Sequence, residues 1–578
     1  MGCAIDRLLI ANRGEIAVRV TRACRELGIE VAALHLPGEA GEQHVRLADA
    51  TATIPSFLDA NAILSAAAAM EADAIHPGYG YLAENSDFAE RVDAAGITWI
   101  GPPAPAMRAA GDKLAARRLA EAAGVPVVPG YGGVDLTDAT LTSEAVRLGF
   151  PLLVKAAGGG GGRGIRRVVS PADIEAALLS SRREAQAAFG DDRVYLEREL
   201  ESARHVEVQL LADRHGNVIH LGERDCSAQR RHQKIVEEAP SPAVDAELRA
   251  ELGAAAVAIA RAAGYESAGT AEFLLLADGG WYFLELNARL QVEHPVTELV
   301  TGIDLVRAQL AIASGERLEW AQSDISPVGH AIECRIYAED PAAGFVPATG
   351  TLLRFEIPAW PGVRLDSGVQ AGDTIGLHHD PMLAKVIAHA EDRDACIERM
   401  TALLRAAVVL GVATNLGFLH WLLTHPRWAA GEVDTGFVER SWSAELVPPL
   451  PADIARAAAV ALLPAGPWRD YGDPATVPVT AADGFVLHDG WQYTLGDDDE
   501  PSATAAASGS LQAPMPGTVL RVSVAAGDTV RAGQELIVIE AMKMELAVTA
   551  PRDGRVHAVS TTVGAQVARN QTLVAMDD

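Results

Sequence analysis

Cysteine is scarce: five residues in 578, at Cys3, Cys24, Cys226, Cys334 and Cys396. An odd, dispersed set excludes a disulfide framework and a paired-thiol zinc site, and fits the reduced thiols of a cytosolic chain. Positive charge is also in deficit, with 48 Lys and Arg against 77 Asp and Glu and a formal net charge of −29. That excludes nucleic acid, whose binding needs a basic stripe and counterion release, and it argues against an anionic membrane surface. No apolar run approaches the roughly 18 residues that a membrane-spanning helix needs. The first strand is not followed by G-x-G-x-x-G, and no Gly-Lys-Ser/Thr completes a Walker loop, so neither nucleotide fold is supported. No signal or transit peptide is read ahead of that strand, and Asp6 stands where a myristoylation pattern needs Ser or Thr. His378 and His379 are adjacent but lack the further ligands of a metal site.

What is present describes a buried, multidomain protein. Apolar residues make up 49% and charged residues 22%, and the length predicts about three to five domains. Leu8-Leu9-Ile10-Ala11 reads as a buried strand of parallel type. Asn12 is expected to cap the next helix, on which Ile16, Val20, Ala23 and Leu27 fall at helical spacing. Val31-Ala32-Ala33-Leu34 is the second strand. Gly111-Asp112-Lys113 opens a helix that ends before Gly124. Leu152-Leu153-Val154-Lys155 predicts a strand, followed by glycine from 158 to 162. A flexible linker is the plain reading of five glycines, but the run is clamped between that strand and Ile165–Val169. A hairpin tip without Cβ atoms can close its amides over a polyphosphate, with Lys155 adding charge. Arg230-Arg231-His232-Gln233-Lys234 is a cationic island in an acidic chain, read as a small-anion site. Glu272 and Glu285 sit within apolar strands, where a carboxylate needs a partner or a metal; a salt bridge is the alternative to Mg²⁺.

The C-terminal stretch contains an internal repeat. Ala513, Pro514, Gly517, Val519, Val522, Gly527, Val530, Gln534 and Leu536 recur as Ala550, Pro551, Gly554, Val556, Val559, Gly564, Val567, Gln571 and Leu573. Two copies predict one pseudo-twofold β domain. Lys543, between Met542 and Met544, falls in the only segment outside both copies, the hairpin joining them. A lysine presented on such a turn is a handle for covalent modification.

Ala541-Met542-Lys543-Met544 resembles the signature of the biotinyl (biotin carboxyl carrier) domain. Ala-Asn-Arg-Gly-Glu-Ile-Ala at 11–17 and His-Pro-Gly-Tyr-Gly at 76–80 resemble biotin carboxylases, as do Arg289-Leu290-Gln291-Val292-Glu293-His294-Pro295 and Asp380–Lys385. Two departures stand out: Leu36–Glu42 replaces a Ser-Asp-x-Asp stretch, and His378-His379 replaces a tyrosine-containing pair. The resemblance implies an α/β chain with four parts. These are a Rossmann-like N-terminal domain (1–112), an ATP-grasp domain (113–320) with a mobile Gly-rich lid at about 127–199, a C-terminal carboxylase subdomain (321–440), and an all-β biotinyl flattened barrel (511–578). Residues 441–510 resemble nothing strongly and are expected to be linker or a partner-docking segment, with a helix at 452–463, a hairpin around Gly484–Thr494 and a flexible tract at 496–510.

The resemblance also implies roles. ATP would be held by Lys113, Lys155, Gly160, Gly161, Gly162, Glu197, Leu200, His205, Gln229 and His232. Lys234, Arg289, Gln291 and the Val292 backbone would hold bicarbonate, with Glu293 as its general base. Glu272, Glu285 and Asn287 would hold Mg²⁺ or Mn²⁺. Arg335 would face the biotin ureido oxygen, and Lys543 would carry covalent biotin, attached by a biotin protein ligase. The expected protein is the alpha subunit of an acyl-CoA carboxylase, homodimeric within a larger hetero-oligomer and served by a separate carboxyltransferase beta subunit. The alternatives are a carboxylase with a non-CoA or longer-chain acceptor, an ATP-grasp ligase of other purpose, or a non-catalytic biotinylated scaffold.

Overall fold

The computed structural model describes residues 5–158, 165–455, 458, 480–482, 485–489, 491–494, 510–515, 517–541, 544–568 and 571–577. Gly160, Gly161, Gly162 and Lys543 lie outside these residues, as do Gly484, most of the helix expected at 452–463, and 496–509.

The apolar run near the N-terminus forms the centre of a five-stranded parallel sheet. Its order is Ala50–Thr53, Glu30–His35, Arg7–Ile10, Ala74–His76, Thr98–Trp99. Leu8, Leu9 and Ile10 are fully buried because helices cover both faces. The helix Gly14–Leu27 follows with Ile16, Val20 and Ala23 inward, while Leu27 is exposed. Asn12 does not cap it. Arg13 occupies the N-cap position without a side-chain bond, and the Asn12 amide instead donates to the carbonyls of Pro77 and Tyr79, at 2.7 Å each. Buried carbonyls of the His-Pro-Gly-Tyr loop need donors, and that need outweighs capping. Gly78 accommodates this contact: its φ is +62°, and a Cβ there would lie 2.8 Å from the Asn12 amide nitrogen.

An eight-stranded antiparallel sheet forms the middle of the chain. It runs Trp281–Asn287, Ser267–Leu275, Arg204–Ala212, Val218–Arg230, Gln233–Ala239, His330–Tyr337, Met382–Ala390, Val363–Ser367. Gln233–Ala239 pairs directly with His330–Tyr337, so the sheet is continuous across the boundary expected at 320. One apolar cluster extends from Leu9 and Phe88 to Phe273 and Phe283, welding the parallel sheet to this one. A separate four-stranded sheet, Gly130–Tyr131, Val194–Arg198, Leu152–Ala156, Arg166–Val168, has its own core around Leu152, Leu178 and Leu196. Lys155 falls in its strand as expected. The helix Lys113–Ala122 is capped by Asp112, whose carboxylate accepts from Ala115 N at 2.9 Å.

The repeat folds as two four-stranded sheets that exchange strands. Thr529–Val530 of the first copy pairs with Gly554–Val559 of the second, and Gln566–Val567 pairs with Gly517–Val522. The reciprocal exchange is the pseudo-twofold made physical. Glu535–Ala541 and Met544–Thr549 form a hairpin closing on the pair Ala541 and Met544, the two residues that flank Met542-Lys543 in sequence.

The hairpin expected near Thr494 is present as Phe485–His488 and Trp491–Thr494. Trp491 stacks on Trp442 with centroids 5.9 Å apart, and its ring lies against the helix Leu416–Thr424. A Cβ at Gly417 would come within 2.2 Å of that indole. Gly417→Ala should therefore destabilise the chain despite a better helix former. Overpacking costs about 1–3 kcal/mol, against about 1 kcal/mol gained in propensity. The check is a lower melting temperature together with faster proteolysis around 480–494; an unchanged melt would show that the hairpin does not depend on this contact.

Candidate active site

Strands of the central sheet deliver charged side chains from interior positions. On Gln233–Ala239, Lys234 Nζ donates to Glu272 Oε1 at 2.8 Å, to Glu293 Oε1 at 2.7 Å, and to Glu207. Three ammonium hydrogens thus meet three carboxylates, so an incoming anion must compete with them. Burial would pull the Lys234 ammonium down, but Glu207, Glu272 and Glu293 hold it well above the usual lysine range. Arg335, on the neighbouring strand, donates through Nε to Glu237 Oε1 at 2.7 Å and through Nη2 to Glu293 Oε2 at 3.0 Å. Glu293 precedes the helix His294–Thr301. Burial would raise its carboxyl, but Lys234, Arg335 and Arg224 hold it well below the usual carboxylate range.

The expected site residues divide into groups. Gln229 Nε2 lies 2.8 Å from His205 Nδ1, and His205 Nε2 lies 3.0 Å from Glu272 Oε2. Burial opposes protonation of His205, but Glu272 more than offsets it. Arg289 Nη1 donates to Gln291 Oε1 at 2.6 Å, and Gln291 Nε2 to Glu272 Oε1 at 3.4 Å. Glu272 and Glu285 are directly opposed on adjacent strands, with Asn287 Nδ2 3.5 Å from Glu285 Oε1 and Lys113 Nζ 3.7 Å from Glu285 Oε2. Lys155 and Glu197 pair with each other within the four-stranded sheet. His232 lies in the exposed turn after Arg230, and both Arg231 and His232 have positive φ. Among the described residues, neither His232 nor Leu200 makes a side-chain hydrogen bond to the cluster.

The residues fit a divalent cation by donor chemistry. Glu272, Glu285 and Asn287 present hard oxygens from two adjacent strands. Glu272 is held ionised: burial would raise it, but Lys234 and His205 lower it.

Sequence reasoning passed over four members of the cluster. Arg224, fully buried, donates to Glu207, to Gln209 Oε1 at 2.7 Å and to Thr297 Oγ1 at 2.9 Å. Glu237 and Glu333 face each other on neighbouring strands, and both are fully buried. Glu333, after Ala331-Ile332, carried the signal that singled out Glu272, a charge inside an apolar strand, whereas Glu207 alternates with Val206 and Val208 and Arg224 stands between Glu223 and Asp225, patterns that read as solvent-facing.

The two departures at 36–42 and 378–379 meet. His379 Nε2 pairs with Glu39, and its Nδ1 lies 3.1 Å from the Tyr81 hydroxyl. Arg13 donates to Glu42 and lies 3.9 Å from Glu39. Burial would raise Glu39, but His379 and Arg13 hold it at about 2.

Family models agree with this layout. They match the biotin carboxylase N-terminal domain at 4–107, the carbamoyl-phosphate synthase L chain ATP-binding domain at 112–321, the biotin carboxylase C-terminal domain at 333–440, and the biotin-requiring enzyme domain at 509–576. The methylcrotonoyl-CoA carboxylase subunit alpha of Dictyostelium discoideum is 38% identical over 99% of this chain and 96% of its own length. The chain belongs to the biotin-dependent carboxylases. It is of the kind that fuses a biotin carboxylase to its biotin carrier domain, and it catalyses ATP- and bicarbonate-dependent carboxylation of biotin. The biotin carboxylase domain dimer of Hydrogenobacter thermophilus 2-oxoglutarate carboxylase, solved with MgADP, ADP and bicarbonate, superimposes with a TM-score of 0.74 at 42% identity, covering 76% of this chain and 98% of that one. Rhizobium etli pyruvate carboxylase gives 0.75 at 42% identity, covering 79% of this chain and 42% of that one. Biotin, ATP, Mg²⁺ and bicarbonate are accordingly the cofactors and substrates of this carboxylase. The cytosolic expectation is overturned: the Dictyostelium relative is mitochondrial, as are those of Mus musculus, Oryza sativa and Arabidopsis thaliana. Reduced thiols report a reducing compartment and carry no address within the cell.

A pH dependence follows from Glu237. Burial raises its carboxyl to about 7, with Arg335 only partly offsetting. A carboxyl raised on folding contributes stability that is full below its unfolded value of about 4.5 and lost as pH rises through about 7. Glu237→Gln has no charge to bury, so its melting temperature should fall less than that of the wild type between about pH 5 and pH 8. Parallel falls in both proteins would assign the loss to other groups.

Proposed function

We propose that this chain is the alpha subunit of a carboxylase acting on a short-chain acyl-CoA, with the acyl transfer done by a separate carboxyltransferase beta subunit. The observation that supports this reading most is end-to-end similarity to a methylcrotonoyl-CoA carboxylase alpha subunit, over 99% of this chain and 96% of the relative.

In the proposed mechanism Glu293 takes the proton of bicarbonate, and the resulting carbonate oxygen attacks the γ-phosphorus of ATP, releasing ADP. Lys234, Arg289, Gln291 and the Val292 N–H orient the anion. Its ionised state and its place beside Lys234 and Arg335 support this role for Glu293. Lys113, Lys155 and Lys234 offset charge as it develops on the phosphoryl group. Glu272, Glu285 and Asn287 would hold Mg²⁺, which supplies positive charge against the phosphate oxygens. Carboxyphosphate splits to CO₂ and phosphate, and the phosphate takes the ureido proton. Biotin on Lys543 supplies the nitrogen that accepts the carboxyl group. Arg335, which here donates to Glu293, would face the ureido oxygen and stabilise charge on it. Glu197, Leu200, His205, Gln229, His232 and Gly160–Gly162 complete the nucleotide site in this reading, and 441–510 is linker and partner-docking segment, with 496–510 the flexible part.

Glu293→Ala and Arg335→Ala should each lower biotin carboxylation by about 10²-fold or more, on the scale of losing a general base or an oxyanion partner. KM for ATP should stay near the wild-type value. A large loss of nucleotide affinity in either variant would reassign the residue.

The subunit reading is tested with labelled bicarbonate, MgATP and the purified, biotinylated chain. Label should appear on avidin-captured wild-type chain and be missing from Lys543→Ala. No labelled acyl-CoA should form from acetyl-, propionyl- or methylcrotonyl-CoA until a carboxyltransferase is added. Acyl-CoA carboxylation without a second polypeptide would sink the reading.

A further inference from the structure

Three of the motifs that mark this chain as a carboxylase have no role in the mechanism above: the Glu15 segment at 11–17, the Tyr79 loop at 76–80, and Asp380–Lys385. All three meet at one side chain. Lys385 is fully buried on the strand Met382–Ala390. Its Nζ donates to the carbonyl of Val292 at 2.6 Å. The same nitrogen lies 3.4 Å from Glu15 Oε1 at the start of the first long helix, and 5.9 Å from the centroid of the Tyr79 ring.

The chemistry of this meeting point is specific. A buried ammonium is tolerated only where charge and hydrogen-bond acceptors surround it. Glu15 is the carboxylate beside it, although burial pushes its carboxyl up to about 7 against the pull of Lys385, and among the described residues neither of its oxygens accepts a hydrogen bond. The Val292 carbonyl is therefore the acceptor with which Lys385 makes a well-formed bond. That carbonyl belongs to the peptide joining Val292 to Glu293. Fixing it fixes the plane of the Glu293 N–H and the point from which the Glu293 side chain departs, while the Val292 N–H belongs to the preceding peptide, whose Gln291 carbonyl is held separately. The segment turns tightly here, with the Gln291 carbonyl taken up by His294 Nδ1 at 2.8 Å. Burial lowers the Lys385 pKa, but Glu15, Glu333 and Asp366 more than offset it, so the donor is charged.

We propose that Lys385 is a positioning residue for bicarbonate, clamping the Val292–Glu293 peptide from the C-terminal subdomain while Glu15 of the N-terminal domain holds the ammonium in place. The inference rests on the assignment of the Val292 N–H and Glu293 to bicarbonate. It explains why a lysine is buried between the carboxylase sheets without touching a substrate itself.

The test uses the full biotinylated chain and measures bicarbonate-dependent ATP cleavage. Lys385→Met keeps the length and removes the donor; it should raise KM for bicarbonate about tenfold or more, the scale of a lost charge-assisted hydrogen bond. KM for ATP should change by less than about threefold. Lys385→Arg keeps the charge opposite Glu15 but displaces the donor, and it should show a smaller rise in the same direction; this variant decides the matter if Lys385→Met does not fold. A bicarbonate KM that stays at the wild-type value in a folded variant overturns the proposal, as does an equal rise in both KM values. Gln291→Ala, run alongside, separates the two failures. If it raises the bicarbonate KM while the Lys385 variants do not, the clamp is wrong; if none of them does, the bicarbonate assignment fails and takes the clamp with it.

Discussion

Lys234 and Arg335, on adjacent strands, share one carboxylate. Glu293 accepts from both, at 2.7 and 3.0 Å, and that bridge ties together the two strands Gln233–Ala239 and His330–Tyr337 at the middle of the central sheet. Its cost in desolvation is several kcal/mol per buried ion, which the fold offsets through the pairings around it. Arg224 neutralises Glu207, His205 answers Glu272, and Glu237 takes the far side of Arg335. Removing Glu293 would take from Lys234 and Arg335 the one carboxylate they share, leaving each with its remaining partners. The large apolar cluster from Leu9 to Phe283 joins the parallel sheet to this one.

Much of this was legible in the sequence because it was local. The strand at Leu8–Ile10, the Asp112-capped helix, the strand ending in Lys155 and the half-repeats of the carrier all arise from patterns a few residues long. The repeat predicts one pseudo-twofold β domain, and the structure adds the exchange of Thr529–Val530 and Gln566–Val567 between the copies. The opposition of Glu272 and Glu285 was also foreseeable, as both interrupt apolar strands a turn apart.

What escaped was set by contacts across long stretches of chain. Asn12 reads as a cap, yet the carbonyls that claim its amide arrive more than 60 residues later. Lys385 reads as one more residue of a family-like run, and nothing near it in sequence shows that it reaches Val292, 93 positions away. Glu207 and Arg224 each look like a strand residue that ought to face solvent, and become intelligible only as a pair. Compartment was misjudged for a different reason: thiol count and surface charge report redox state and solubility, and no address.

The pairing of Glu39 with His379 bears on how pieces of such proteins can be exchanged. The segment at 36–42 and the dipeptide at 378–379 look like independent departures, 340 positions apart. In the folded chain they are two halves of one contact, with Tyr81 and Arg13 completing it. A chimaera that takes its N-terminal domain from a relative without Glu39 and its C-terminal subdomain from this chain would leave His379 without this partner. The two halves of this seam therefore have to be exchanged together, and a crossover point that respects the domain boundary in sequence would still cut through it in space.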